Sequence, residues 1–177
     1  MTHLNKQEFL AWAFDELLTN TTRGLLAEYI VATATGALAP RREWNQYDLK
    51  VGDIGVEVKS AAYVQAWPQA RPSVIAFDIG LKTGWDADTD THATAPGRSA
   101  DVYVFCLLKE KDRNRANPLD LEQWTFYVLS TSVLNSERPV ETTIRLEPLK
   151  AIGAKQCTYD GLKDAIEEAS GKPRAQT

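Results

Sequence analysis

Ala100 to Leu108 reads Ala-Asp-Val-Tyr-Val-Phe-Cys-Leu-Leu, a nearly continuous apolar run that stops at a charged turn, Lys109 to Pro118. A run of this length and content predicts a strand buried on both faces. A sheet with such a centre needs cover on each side, and the rest of the chain supplies it. Residues 5–18 predict a helix capped by Asn5, with Glu8 three residues on. Its stripe of Phe9, Trp12, Ala13 and Leu17 suits either the core or a dimer face. A second helix opens at Thr21 or Thr22 and ends at Gly36, turning Leu25, Leu26, Tyr29, Ile30 and Thr33 inward. Strands are predicted over 73–79, 124–129 and 142–146, with a short helix from Thr131. A last helix is capped by Thr158, carries Leu162, Ala165, Ile166 and Ala169 inward, and stops at Gly171. The expected fold is α/β or α+β, a mixed β-sheet flanked by helices. The 177 residues suit one domain, residues 1–170, followed by a disordered tail over 171–177.

The stretch from Gln46 to Ser60 predicts a β-hairpin closed by the Gly52-Asp53 turn. With the turn placed there, Val51 faces Ile54, Leu49 faces Val56, Asp48 faces Glu57 and Gln46 faces Lys59. Alternation puts Tyr47, Leu49, Val51, Ile54, Val56 and Val58 on one face, and Asp48, Lys50, Glu57 and Lys59 on the other. Two opposed carboxylates about 5 Å apart repel by roughly 3 kcal/mol at an effective dielectric near 20. A divalent cation between them removes that cost, and hard oxygens with room for water suit magnesium or manganese. Lys59, on the same side, could hold or activate a water or steady a phosphate. These are the parts of a metal-assisted phosphodiester hydrolase. The same charges also suit a plain solvated sheet surface with exposed ion pairs of little energetic weight. Continued alternation through Ala61 and Tyr63 would bring Gln65 to the face of Glu57 and Lys59, to bind phosphate or water; a polar strand end reads equally from the same residue.

Asp48 followed by Glu57-Val58-Lys59 on the next strand resembles the signature of the PD-(D/E)XK nuclease superfamily, and Val-Glu-Val-Lys-Ser resembles its forms in junction resolvases and restriction-like endonucleases. The likeness covers roughly residues 20–130. Tyr47 stands where the family has proline. The resemblance implies a restriction endonuclease-like domain with Mg2+ or Mn2+ bound by Asp48, Glu57 and the Val58 carbonyl, and Lys59 beside the attacking water. It further implies that Glu28, on the helix before the hairpin, approaches the metal; as a residue alone, Glu28 reads as an ordinary helix glutamate. The activity so implied is metal-dependent hydrolysis of DNA, in restriction, junction resolution or mobile-element defence. The alternative is a catalytically idle nuclease fold that binds nucleic acid or a protein. A homodimer would suit duplex breaks.

Other chemistries find little support. Cys106 and Cys157 lie far apart, which suggests neither zinc nor a disulfide framework, and His3 and His92 have no partner in sequence. Asp86, Asp88 and Asp90 alternate like the start of a calcium loop, but Thr91 and Gly97 stand where that loop needs glycine and glutamate. A net charge of −4 argues against a general nucleic-acid coat. Local basic surface remains at Arg41-Arg42, Lys50, Arg71 and Lys109 to Arg115. No apolar run matches a membrane span and the N-terminus has no signal pattern, so the expectation is a cytoplasmic chain.

Overall fold

The structure is a computed structural model and describes residues 3–39, 46–86, 91–92 and 94–172. In chain order the elements are α1 (Lys6–Ala13), α2 (Asn20–Thr35), β1 (Leu49–Val51), β2 (Ile54–Ala62), β3 (Ala76–Asp78), β4 (Trp85–Asp86), β5 (Thr91–His92), β6 (Val102–Leu108), β7 (Trp124–Ser130), α3 (Thr131–Glu137), β8 (Thr143–Arg145), α4 (Leu146–Ala151), β9 (Lys155–Cys157) and α5 (Leu162–Ser170). Five strands form the main sheet in the order β1-β2-β6-β7-β9. The β2–β6 pair is parallel and the other three pairs are antiparallel, so the sheet is mixed.

All seven residues of β6 are buried, as the apolar run demands. The two faces of the sheet have different covers. Val56, Val58, Val104, Cys106 and Phe126 pack under Ala27, Ile30 and Val31 of α2 and Leu162 and Ile166 of α5. On the other face Tyr103, Phe105 and Leu107 meet Phe77, Ile144, Leu134 and Leu149, from the small β3–β8 sheet and from α3 and α4. Burying each large apolar side chain here is worth about 1.5–3 kcal/mol, so both covers are needed. Full burial pushes the Cys106 thiol well above its ordinary pKa, as suits a small hydrophobe.

Several expectations need correction. Asn5 does cap α1, accepting from the Gln7 and Glu8 amides, but the helix ends at Ala13 and buries none of its residues. Phe9 and Trp12 are exposed, so the stripe is not core in this chain. In α2 the buried face is rotated by about one residue: Ala27, Ile30 and Val31 point in, while Tyr29 is exposed. Small or short side chains let the helix sit close to the valines of β2, and the larger Leu25 and Tyr29 turn to the rim. Thr19 rather than Thr21 or Thr22 is the N-cap, and Gly36 closes the helix at φ 77°, as its position predicts. Thr158 makes no side-chain capping bond; a short 3-10 turn, Tyr159–Gly161, leads into α5 instead. The strand expected over 73–79 pairs only over Ala76–Asp78, though Ile75, Phe77 and Ile79 are buried as the alternation requires. Neither β9 nor α4 was anticipated. Pro40, Arg41, Arg42, Trp44, Asp88, Asp90 and the tail from 173 lie outside the described residues. No described helix is long and apolar enough to cross a membrane.

Candidate active site

Over Leu49–Val51 the hairpin has the expected register, with Leu49 opposite Val56, Lys50 opposite Gly55 and Val51 opposite Ile54, but the ladder stops there and the expected pairs of Asp48 with Glu57 and Gln46 with Lys59 are not formed. Gly52 at φ 57° sits in the Gly-Asp turn. Asp101 braces the turn region: its Oδ2 accepts from the Gly55 amide at 2.8 Å and from Lys172 Nζ at 2.7 Å. What matters for the site is how short β1 is. It pairs over three residues, whereas β2 runs for nine. Before Leu49 the chain bends away, and the two strands part like a fork.

Asp48 stands in that fork. Its Oδ2 accepts from the Val58 amide at 2.7 Å, so the side chain continues along β2 the bonding that β1 gives up. In extended backbone a residue's N–H and C=O project towards the same edge, so the Val58 carbonyl also turns to the Asp48 side, away from β6. Glu57 and Lys59 flank Val58 on one face of β2. Glu57 is buried, and its Oε1 receives Lys59 Nζ at 2.5 Å and Lys82 Nζ at 3.1 Å. Burial, then the charge of Glu57, pushes the Asp48 carboxyl up to about 6 against the downward pull of the Val58 amide; Glu28 raises it further and Lys59 lowers it. Asp48 is thus tied to the Val58 amide, Glu57 and Lys59 pair on the strand beside it, and the charges of Glu57, Lys59 and, from α2, Glu28 act on the Asp48 carboxyl.

Tyr47 departs from the expected alternation. Instead of joining Leu49 and Val51, it packs with the opposite cluster, and its ring lies close against Gly55. A Cβ at Gly55 would come within 2.8 Å of that ring. The missing side chain at Gly55 therefore seats Tyr47, and Tyr47 precedes Asp48 directly. Nothing in the local pattern announces this contact.

Lys82 is the residue that sequence reasoning missed. It bridges to Gly97 at the base of the 80–99 segment and reaches Glu57 from 25 positions away. Burial alone would lower its pKa, but the Glu57 carboxylate overrides that and holds the ammonium well above its usual range.

Gln65 sits elsewhere. β2 ends at Ala62, so the alternation does not reach it. Its side chain is buried, with Nε2 donating to the Ala62 carbonyl at 3.0 Å and to Ser73 Oγ at 3.2 Å, and Oε1 accepting from Arg23 at 3.3 Å. Among the basic candidates, Lys50 and Arg71 are exposed. Arg113 instead clamps the carbonyls of Gln65, Ala66 and Trp67 at 2.6–2.9 Å. The segment predicted to be a charged turn thus acts partly as a structural pin.

Chemically, the fork offers two carboxylates, a main-chain carbonyl and two ammonium groups. Among the described residues no three His, Cys, Asp or Glu side chains close into a metal-binding cluster. The donor set nevertheless fits a small hard cation that keeps most of its waters, which needs only one or two carboxylates. The Asp48 carboxyl, hard to ionise beside Glu57, favours a cation there, whereas the two ammonium groups on one Glu57 oxygen compete with it.

Residues 12–147 match the model of a protein family described as bacteriophage T4 endonuclease IV. The match spans more than half of the chain and contains every residue of the fork. No curated protein matches the sequence.

Proposed function

Given that the chain belongs to the bacteriophage T4 endonuclease IV family, we propose that it is a metal-dependent DNA endonuclease of the PD-(D/E)XK type, with the fork between β1 and β2 as its active site. The observation that carries this reading is the meeting of Asp48, Glu57 and Lys59 around Val58, with Asp48 bonded to the Val58 amide and Lys59 touching Glu57. Mg2+ or Mn2+ would be held by Asp48, Glu57 and the Val58 carbonyl, with Glu28 behind Asp48; when bound it polarises the phosphate and lowers the pKa of a water. Lys59 projects from the same face as Glu57. Its ammonium orients the attacking water and offsets the charge that builds on the pentavalent phosphorus. Water adds to phosphorus in line with the leaving group, the P–O3′ bond breaks, one proton leaves the water and one arrives at O3′. Lys82 shares the same Glu57 oxygen, so Lys59 can turn to the phosphate without leaving that carboxylate bare.

A second reading, a module that binds nucleic acid without cutting it, is favoured by one observation: Glu57 is already paired with two lysines. One experiment separates the two. Supercoiled and branched DNA are incubated with the protein in magnesium, manganese or EDTA. The nuclease reading expects cleavage that needs metal and falls about a hundred- to a thousandfold in both Asp48→Asn and Lys59→Ala, in line with the loss of one preorganised electrostatic group. DNA retention in EDTA with no cleavage in any metal leaves the binding module.

A further inference from the structure

Beyond the fork, β1 no longer covers β2, and a cleft of about 320 Å³ opens beside Ser60, Ala61 and Ala62. Its far wall comes from the first turn of α2, with Asn20 and Arg23, and from Ser73 and Val74. Among the described residues, no aspartate or glutamate lines it.

Arg23 is an unusual wall residue. It is only 3% exposed, although arginine is almost never buried without a counter-ion. Its hydrogen bonds go to neutral acceptors: Nη1 to the Leu18 carbonyl at 2.9 Å and to Gln65 Oε1 at 3.3 Å, and Nη2 to Asn20 Oδ1 at 2.8 Å. Nε has no acceptor among the described residues. Burial lowers its pKa, and among the described residues no carboxylate holds it up. A buried guanidinium with unused donors, in a cleft without acids, lacks the one group that such a fork-shaped cation matches best, a bidentate oxyanion. Asn20 is exposed, so its amide can yield Nη2 to a better acceptor.

We propose that this cleft is a phosphate subsite, in which Arg23 grips a backbone phosphate of the DNA next to the one positioned for cleavage at the fork. The two sites are neighbours on one strand edge: the cleft begins at Ser60, two residues or about 7 Å past Val58. Arg113 pins the 65–67 loop at the cleft rim and Gln65 braces the guanidinium from below, so the grip is preorganised. The inference rests on the nuclease reading for its substrate, but its test does not depend on cleavage.

The test uses Asn20→Asp, which places a permanent carboxylate on Arg23 Nη2 with no change of shape. An acid at this first helical position is also tolerated or favoured. Binding of a short fluorescein-labelled DNA is measured by anisotropy in EDTA over a salt series, beside thermal melts with and without inorganic phosphate. The proposal expects Asn20→Asp to melt higher than wild type, to lose the stabilisation by phosphate, to bind DNA about tenfold more weakly, and to lose about one unit of salt slope. Unchanged affinity and slope in Asn20→Asp overturn the subsite. Should Asn20→Asp melt lower than wild type, Val74→Glu, at an exposed position on the cleft wall, asks the same question with the same two outcomes. A wild-type protein that binds DNA through Arg23 yet never cleaves it sinks the nuclease reading and leaves the subsite standing; cleavage with normal binding by Asn20→Asp does the reverse.

Discussion

Asp48 and Arg23 are both charged groups that burial works against, and they sit beside the same edge of β2, yet the fold treats them in opposite ways. Asp48 is placed next to carboxylates of its own sign, and its proton is held up to about 6. Arg23 is placed among neutral acceptors, with no acid in its cleft. At one end the protein keeps a reluctant acid beside a second carboxylate, at the other a guanidinium with no acid against it among the described residues. A stability-driven fold would have paired such groups or replaced them with apolar side chains. Keeping them apart makes sense if each awaits a partner from outside, a cation at the first and an oxyanion at the second.

The comparison can be broken most decisively at Asp48. Its folded pKa lies above its ordinary value of 3.8. The folded chain therefore holds this proton more tightly than the unfolded one. That stabilisation is fully present below pH 4, is lost as pH rises towards 6, and is absent above it. The shift corresponds to about 3 kcal/mol. Urea melts in EDTA should show Asp48→Asn to be more stable than wild type by roughly that amount at pH 8 and nearly equal at pH 4, while nuclease activity is lost. Equal stability at both pH values would mean that Asp48 is not under electrostatic strain.

A smaller effect is expected at Gly55. Adding a methyl there forces the Tyr47 ring to shift, since the new Cβ would stand 2.8 Å from it. Gly55→Ala should cost about 1–3 kcal/mol and reduce cleavage by misplacing Asp48, but leave DNA binding in EDTA intact. Restoring room with Gly55→Ala plus Tyr47→Leu should recover part of the activity. If binding fell as far as cleavage, the two ends of the edge would not be separable. The mildest change is Lys82→Ala, which removes one of two cations from Glu57. We expect the magnesium concentration for half-maximal cleavage to fall a few-fold, because the metal then competes with one ammonium rather than two. A rise instead would assign Lys82 to the substrate.

Much of this could be read in the chain before folding. The Gly52-Asp53 turn and the alternation around it set the register of Leu49–Val51 against Ile54–Val56, which leaves Asp48 at the end of the paired stretch. The apolar content of residues 100–108 marks the sheet's centre. Other features left no local trace. Lys82 arrives through a long-range bridge, and no spacing connects it with Glu57. Arg23 looks like a surface residue until α2 rotates to bring Ala27 and Val31 down onto the sheet. Tyr47 changes faces because β1 starts two residues later, and Gln65 is lost to the site because β2 stops at Ala62. Each of these turns on where an element ends or how far it rolls. Tertiary packing decides such matters, and local pattern does not.

The Val58 amide fastens one oxygen of Asp48. That leaves Oδ1 as the freer oxygen and the natural seat for a proton on this carboxyl. On the proposed metal-dependent reading, an incoming cation would compete with that proton. Loading the centre should release close to one hydrogen ion below pH 6 and almost none well above it, a stoichiometry that titration calorimetry in buffers of differing ionisation heat can count.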